Sequence, residues 1–196
     1  MSPLTEALDR IFNWLQQNNP EAISYLQPGL TYTEIQEMAN KFSVFLPKEV
    51  YELYQWRNGC SNRLTFIFDS FEFLTLEKAL RFYQVGSQSE PSLFPLFFSE
   101  AYLKYCQIVL QENFENHSII FSDAKEYDLV KPGYTSLTSM MLTIAECYEN
   151  GAYDLVYDDE LNDFIRNTQK INEIYCKYNY HFAIAIFMLC ATFTQT

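Results

Sequence analysis

The chain has 196 residues, of which 48% are apolar and 17% aromatic, and a formal charge of −12. That length and apolar content support one well-buried core and exclude a disordered chain. The acidic balance disfavours any role that depends on holding a phosphate backbone, so nucleic acid is not expected among the partners.

The charge is unevenly spread. Residues 1–110 sum to −4, residues 111–163 to −10 and residues 164–196 to +2. An acidic surface keeps a protein soluble and would also steer a basic partner. The five cysteines (Cys60, Cys106, Cys147, Cys176 and Cys190) are odd in number and form no C-x-x-C. That usage predicts buried thiols in a reducing compartment, with no disulfide framework and no zinc site. The start, MSPLTEALDR, lacks the basic and apolar regions of a signal peptide, so a cytoplasmic location is expected.

In chain order, Ser2-Pro3 predicts a helix start, and Leu4, Leu8, Ile11, Phe12 and Leu15 recur at helical spacing up to Asn18-Asn19-Pro20. After Pro28-Gly29, Thr31 and Glu34 form a capping box for a second helix bearing Ile35, Met38, Ala39 and Phe42. Leu46-Pro47 resets the chain into a third helix with Val50, Leu53 and Tyr54 inward, ended by a left-handed cap at Asn58-Gly59.

The period then changes. Residues 64–68 and 71–74 read as strands, 76–83 as a short helix, and 86–91 as a polar loop. Further strands are expected at 96–98, 105–110 and 118–121, the last two as a hairpin turning near 113–116. Helical spacing returns at Leu137, Met141, Ile144, Ala145 and Tyr148, closed by Asn150-Gly151. A last helix is predicted from about Asp159 to Tyr178. Helices flanking consecutive strands define an α+β fold: a single domain with a central, mostly antiparallel mixed sheet between N-terminal and C-terminal helices. The run 182–191, FAIAIFMLCA, falls short of the roughly 20 apolar residues of a membrane span. It reads as a buried strand or helix in preference to a tail anchor.

Chemistry-bearing motifs are scarce. There is no G-x-G-x-x-G, Walker A lysine, G-x-S-x-G or H-E-x-x-H, and five glycines leave little material for a phosphate-cradling loop. Cys176 and His181 have weak metal-ligand spacing, and Asp154 with Asp158-Asp159-Glu160 lacks the EF-hand pattern. No catalytic, cofactor or metal residue is therefore assigned. Two acidic–aromatic clusters remain: Asp123, Glu126, Tyr127 and Asp128, and Tyr153, Asp154, Tyr157, Asp158, Asp159 and Glu160. Tyrosine supplies contact area at low entropic cost, and interleaved acids complement Lys or Arg, so both clusters are candidate partner-binding surfaces. The alternative is that the tyrosines pack inward while the acids face water.

Gly29 and Thr31 leading into Ile35, then Leu46-Pro47, then an aromatic-rich helix closing on Asn58-Gly59, resemble the SUKH superfamily. That superfamily includes the yeast cell-wall assembly regulator and many bacterial immunity proteins. The strand at 64–68, FPLFFSEAY at 94–102, the strand at 105–110, HSIIFSDAKEYD and the helix from Thr135 to Tyr148 follow in the family's order. The resemblance divides the chain into an N-terminal helix at 1–20, a SUKH-like domain at 21–179 and an apolar tail at 180–196. The family pattern departs at Ser99-Glu100-Ala101 and after Asn179. The resemblance implies a non-enzymatic protein-binding domain, in the bacterial branch an immunity protein that neutralises a nuclease-type toxin. The alternative it implies is a scaffold or regulator of a signalling or cell-envelope pathway. A hydrolase built on scattered carboxylates or a Cys–His pair is the reading from another class. It requires a concave pocket holding titratable groups with displaced pKa values.

Overall fold

A computed structural model describes residues 1–61, 66–68, 71–86, 92–110, 117–123, 131–158 and 163–179, with 66–68, 131–132, 154–158 and 163–166 described at the level of the backbone. The fold is α+β. Helix α1 (Pro3–Asn18) starts at Ser2, whose side chain accepts from the Thr5 N–H. A short helix α2 (Pro20–Ser24), capped by Asn19 with Pro20 at its first position, and a strand β1 (Leu26–Pro28) follow; the sequence reading ends a helix at Asn19-Pro20, where the structure starts a new one. Helix α3 (Tyr32–Lys41) begins with the expected capping box: Glu34 N donates to Thr31 Oγ1 at 3.2 Å, and Thr31 N donates to Glu34 Oε2 at 2.7 Å.

Helix α4 (Lys48–Trp56) follows Leu46-Pro47 and buries Val50, Leu53 and Tyr54. Its end corrects the sequence reading. Arg57 is already extended, and Asn58-Gly59 lies within strand β2 (Arg57–Cys60), which pairs antiparallel with β1. Gly59 has the expected left-handed φ of +74°, but its purpose is close approach: a Cβ there would lie 2.4 Å from the Thr75 nitrogen. Asn58 Oδ1 accepts from Leu76 N at 2.9 Å, satisfying one of the orphan donors at the start of helix α5 (Leu76–Gly86). The N-G pair therefore fastens the next helix.

Strands β3 (Phe66–Phe68), β4 (Phe71–Phe73), β5 (Leu93–Ser99), β6 (Lys104–Val109), β7 (Ile119–Asp123) and β8 (Lys131–Tyr134) form one sheet in that order, with every pairing antiparallel. The β6–β7 pair aligns Ile108 with Ile119 and Lys104 with Asp123, as expected of the hairpin; its turn lies outside the described residues. Cross-strand register gives the sheet two different faces. One carries Phe73, Phe97 and Cys106: Phe73 stacks on Tyr54 of α4, and Cys106 meets Met140 of helix α6 (Leu137–Glu149). The other carries Glu72, Phe98 and Tyr105 and takes α5, through Phe82 on both rings and Lys78 on Glu72 at 2.7 Å.

Helix α6 is buried nearly all round, with Leu137, Met140, Met141, Ile144, Ala145, Cys147 and Tyr148 all in the core. Such a helix is central to a fold, not a surface element. Its N-terminus is capped twice. Ser136 and Ser139 form a local box, and the Glu49 carboxylate of α4 accepts from Thr138 N at 2.8 Å and Leu137 N at 3.3 Å.

The last segment also differs from the sequence reading. Strands β9 (Tyr153–Asp158) and β10 (Asp163–Arg166) form a separate two-stranded antiparallel sheet, and helix α7 (Thr168–Tyr178) begins only after them, at an Asn167 cap. The predicted helix start at 159–162 lies outside the described residues; Phe164 and Ile165 have helical spacing, but a run that short is ambiguous, and the aromatic and branched residues of the paired β9 favour the extended form.

Gly29 sits where a Cβ would lie 1.9 Å from the Gln55 carbonyl oxygen, whereas a Cβ at Gly86 would meet nothing within 4 Å. Gly29→Ala should therefore lower unfolding stability by about 1–3 kcal/mol. Gly86→Ala should leave it unchanged or raise it by up to about 1 kcal/mol. Urea unfolding of the two variants checks the contrast, and equal midpoints would contradict the close approach at Gly29.

Candidate protein-interaction site

The described members of the two acidic–aromatic clusters fall on separate sheets. Asp123 closes β7 on the six-stranded sheet, opposite Lys104 of β6. Tyr153, Asp154, Tyr157 and Asp158 lie on β9 of the two-stranded sheet. Glu126, Tyr127, Asp128, Asp159 and Glu160 lie outside the described residues.

Tyr153 is half-buried. Its ring meets Tyr148 edge-on at 5.5 Å, and Tyr148 in turn stacks on Trp14 of α1 at 4.5 Å. This aromatic series ties the root of the hairpin to α1 and α6. For Tyr153 the inward-packing alternative therefore describes the geometry, and its first task is anchoring. Asp154 and Asp158 share β9 with Tyr153 and Tyr157, and the pairing with β10 shifts register between Phe164 and Arg166.

Register reveals an acid that the residue pattern alone did not single out. Asp158 pairs directly with Asp163 of β10, and the sequence between them contains Asp159 and Glu160, which lie outside the described residues. Like charges placed opposite each other in a sheet destabilise it. The hairpin end therefore concentrates four acids within six residues, at a cost to folding.

Elsewhere in the segment, charge is compensated by bases from distant sequence. Glu149 of α6 accepts from Arg10 of α1 at 2.8 and 2.5 Å, and Glu146 pairs with Lys177 of α7 at 2.6 Å. Both carboxyls are held below the usual range, Glu149 by its hydrogen bond from Arg10 and Glu146 by those from Lys177 and Tyr178. Counting those two bases in takes the segment's −10 to −8, and the remaining acids include the hairpin group.

A groove of about 270 Å³ lies on the α5 side of the large sheet, lined by Phe82, Tyr83, Val85, Gly86, Leu93, Pro95, Tyr105 and Gln107. None of these described lining residues is a carboxylate, histidine, cysteine or lysine. An exposed aromatic occupies the α3–α4 corner: Phe45 is 91% exposed between buried Val44 and Leu46, just after Ser43 with its φ of +52°. Sequence reasoning missed Phe45 because nothing local distinguishes an outward from an inward apolar residue in F-S-V-F-L-P.

The cysteines can be placed against the Cys–His alternative. Burial pushes the Cys60 and Cys147 thiols up to about 12 and Cys106 well above its ordinary value. These are thiols with little nucleophilic character at neutral pH. His117 has its Nδ1 2.8 Å from the Val109 carbonyl oxygen, while His181 and Cys190 lie outside the described residues. Among the described residues, no three His, Cys, Asp or Glu side chains group in a way that could hold a metal ion, and no helix is long and apolar enough to cross a membrane.

No protein-family model matches the chain, and no curated protein does.

Peptide-resolved alkylation of the native protein at pH 7 should modify the half-buried Cys176 at least about tenfold faster than Cys60, Cys106 or Cys147, each of which should react only when the structure covering it opens. Rapid modification of any of the three buried thiols would contradict the assignment and restore a cysteine nucleophile to consideration.

Proposed function

We propose that the protein is a non-enzymatic, SUKH-like binding domain that captures a basic protein through the acidic β9–β10 hairpin. The observation that carries this reading is the Asp158–Asp163 pairing at a hairpin end already rich in acid. A sheet gains nothing in stability from opposed like charges. Retaining them makes physical sense where a cationic surface neutralises them on binding, which also accelerates encounter.

A nuclease-type toxin is the partner that fits this chemistry, because a protein built to hold a phosphate backbone is basic. An immunity protein needs no catalytic step and no cofactor, only a surface complementary to its toxin. The order of helix, Leu46-Pro47, helix, Asn58-Gly59, antiparallel strands and helix supports the family reading. A scaffold or regulator in a signalling or envelope pathway would use the same scaffold. A toxin gene beside this one distinguishes the first role from the second.

Two expectations follow from the hairpin's charge. Asp158→Asn should raise stability by a few tenths to about 1 kcal/mol, because it removes one of two opposed charges. Changing Asp154, Asp158 and Asp159 together to Lys should weaken binding to a basic partner by at least about tenfold at low salt, and by less at high salt. Titration calorimetry with a basic polypeptide captured from the source cell's lysate measures both salts. Unchanged affinity at each would remove the hairpin from the interface.

A further inference from the structure

We infer that the groove between α5 and strands β5 and β6 is a binding site for a small, uncharged aromatic compound bearing a carbonyl acceptor. It belongs to the six-stranded sheet and not to that of the acidic hairpin, so it is a second site, independent of the binding reading above. The groove forms because consecutive side chains of α5 diverge. Neighbouring residues on a helix point about 100° apart. Phe82 meets Phe98 and Tyr105 at 6.0 and 5.7 Å, whereas Tyr83 turns to Phe94 of β5 at 5.6 Å. Phe98 and Tyr105 are a cross-strand pair, and the register shifts between it and the next pair along this groove, Pro95 and Gln107. Phe82 covers the first pair, and the groove of about 270 Å³ opens over the second. At the end of α5 the space stays clear: a Cβ on Gly86 would meet nothing within 4 Å, and Val85 is 76% exposed.

The chemistry of the lining sets the class of ligand. None of the described lining residues carries a formal charge, and moving an ion from water into such walls is costly. Phe82, Tyr83 and Tyr105 bring rings from two elements, which suits stacked or edge-on contact with a flat aromatic. One polar group is placed for recognition. Ser122 Oγ donates to Gln107 Oε1 at 2.5 Å, which fixes the amide and leaves its nitrogen without a hydrogen-bond partner among the described residues. An amide held at its oxygen presents two N–H donors, so it matches an acceptor such as a carbonyl oxygen. Sites for small molecules combine apolar walls with a few placed polar groups in this way. The volume holds roughly 10–14 non-hydrogen atoms at interior packing density, enough for one ring with a short substituent.

The test is a titration of the isotope-labelled full chain at pH 7 with acetophenone, read by heteronuclear NMR, with benzoate as the charged counterpart of the same shape. Acetophenone should shift the signals of Phe82, Tyr83, Gly86 and Tyr105 and the side-chain amide of Gln107 saturably, with a dissociation constant of about 1 mM. Benzoate should bind there at least about tenfold more weakly. Gln107→Glu keeps an acceptor for Ser122 but replaces the N–H donors with a carboxylate oxygen, so it should weaken acetophenone binding at least about tenfold. Gly86→Leu should do the same by filling the clear end of the groove, and its spectrum elsewhere should match the wild type. Absence of a saturable shift at these positions would overturn the proposal and leave the groove to a partner's side chain or another part of this chain. Benzoate binding as tightly as acetophenone, or binding that both variants leave unchanged, would overturn it as well. The wild-type titration with the two compounds decides even where a variant fails to fold.

Discussion

Tyr54 joins the two halves of this fold. Its ring is wholly enclosed and stacks on Phe73 at 5.6 Å, and its hydroxyl donates to the Leu74 carbonyl at 3.3 Å. The Tyr54 carbonyl in turn accepts from Leu30 N at 2.9 Å, so one residue of α4 fixes the entry to α3 and the exit of β4. A buried phenol costs free energy unless its hydrogen bond is met, and burial drives its pKa far above the ordinary value. With that bond made, a rigid aromatic links the helical layer to the sheet at a defined separation. The two tight glycines lie on either side of the joint, Gly29 against Gln55 and Gly59 against Thr75. Backbone must approach backbone that closely for Tyr54 to reach Phe73.

From that joint extends a well-packed body, against which α7 buries Ile174 and is fastened by polar contacts. In the body, helix starts are satisfied by side chains from other elements: Glu49 of α4 serves α6, and Asn58 of β2 serves α5. These contacts span 89 and 18 residues, and they fix helices relative to each other as well as capping them. In the periphery, the hairpin and α7 are fastened by Glu146, Asn167 and Asn179 to the outer side of α6.

Local signals were legible in the sequence, and long-range ones were not. The capping box at Thr31 and Glu34, the start at Ser2-Pro3 and the end at Asn150-Gly151 all act within a few residues of themselves. Asn58-Gly59 was read as a helix cap because its local chemistry suits one; only the distant α5 shows why both residues are needed. Strand β8 was missed because Lys131-Pro132-Gly133-Tyr134 contains the residues that usually interrupt a strand. It forms as an edge paired to Ile119, where a Cβ on Gly133 would lie 2.6 Å from the Phe121 ring. The acidic site was half legible. Its composition is plain, but the pairing of Glu146 and Glu149 with Lys177 and Arg10, and the opposition of Asp158 and Asp163, depend on contacts that no local pattern encodes.

The account has the body as scaffold and the hairpin as the charged recognition element. Its most direct test is affinity capture from the source cell's lysate at low salt, using the wild-type chain beside one in which Asp154, Asp158, Asp159 and Asp163 are all Asn. Mass spectrometry then identifies what a salt step elutes. The account predicts a basic polypeptide retained by the wild type and lost from the neutralised chain, because attraction between exposed charges is screened within about 10 Å at 0.1 M salt. The same polypeptide retained equally by both chains, or one that high salt does not release, would contradict it.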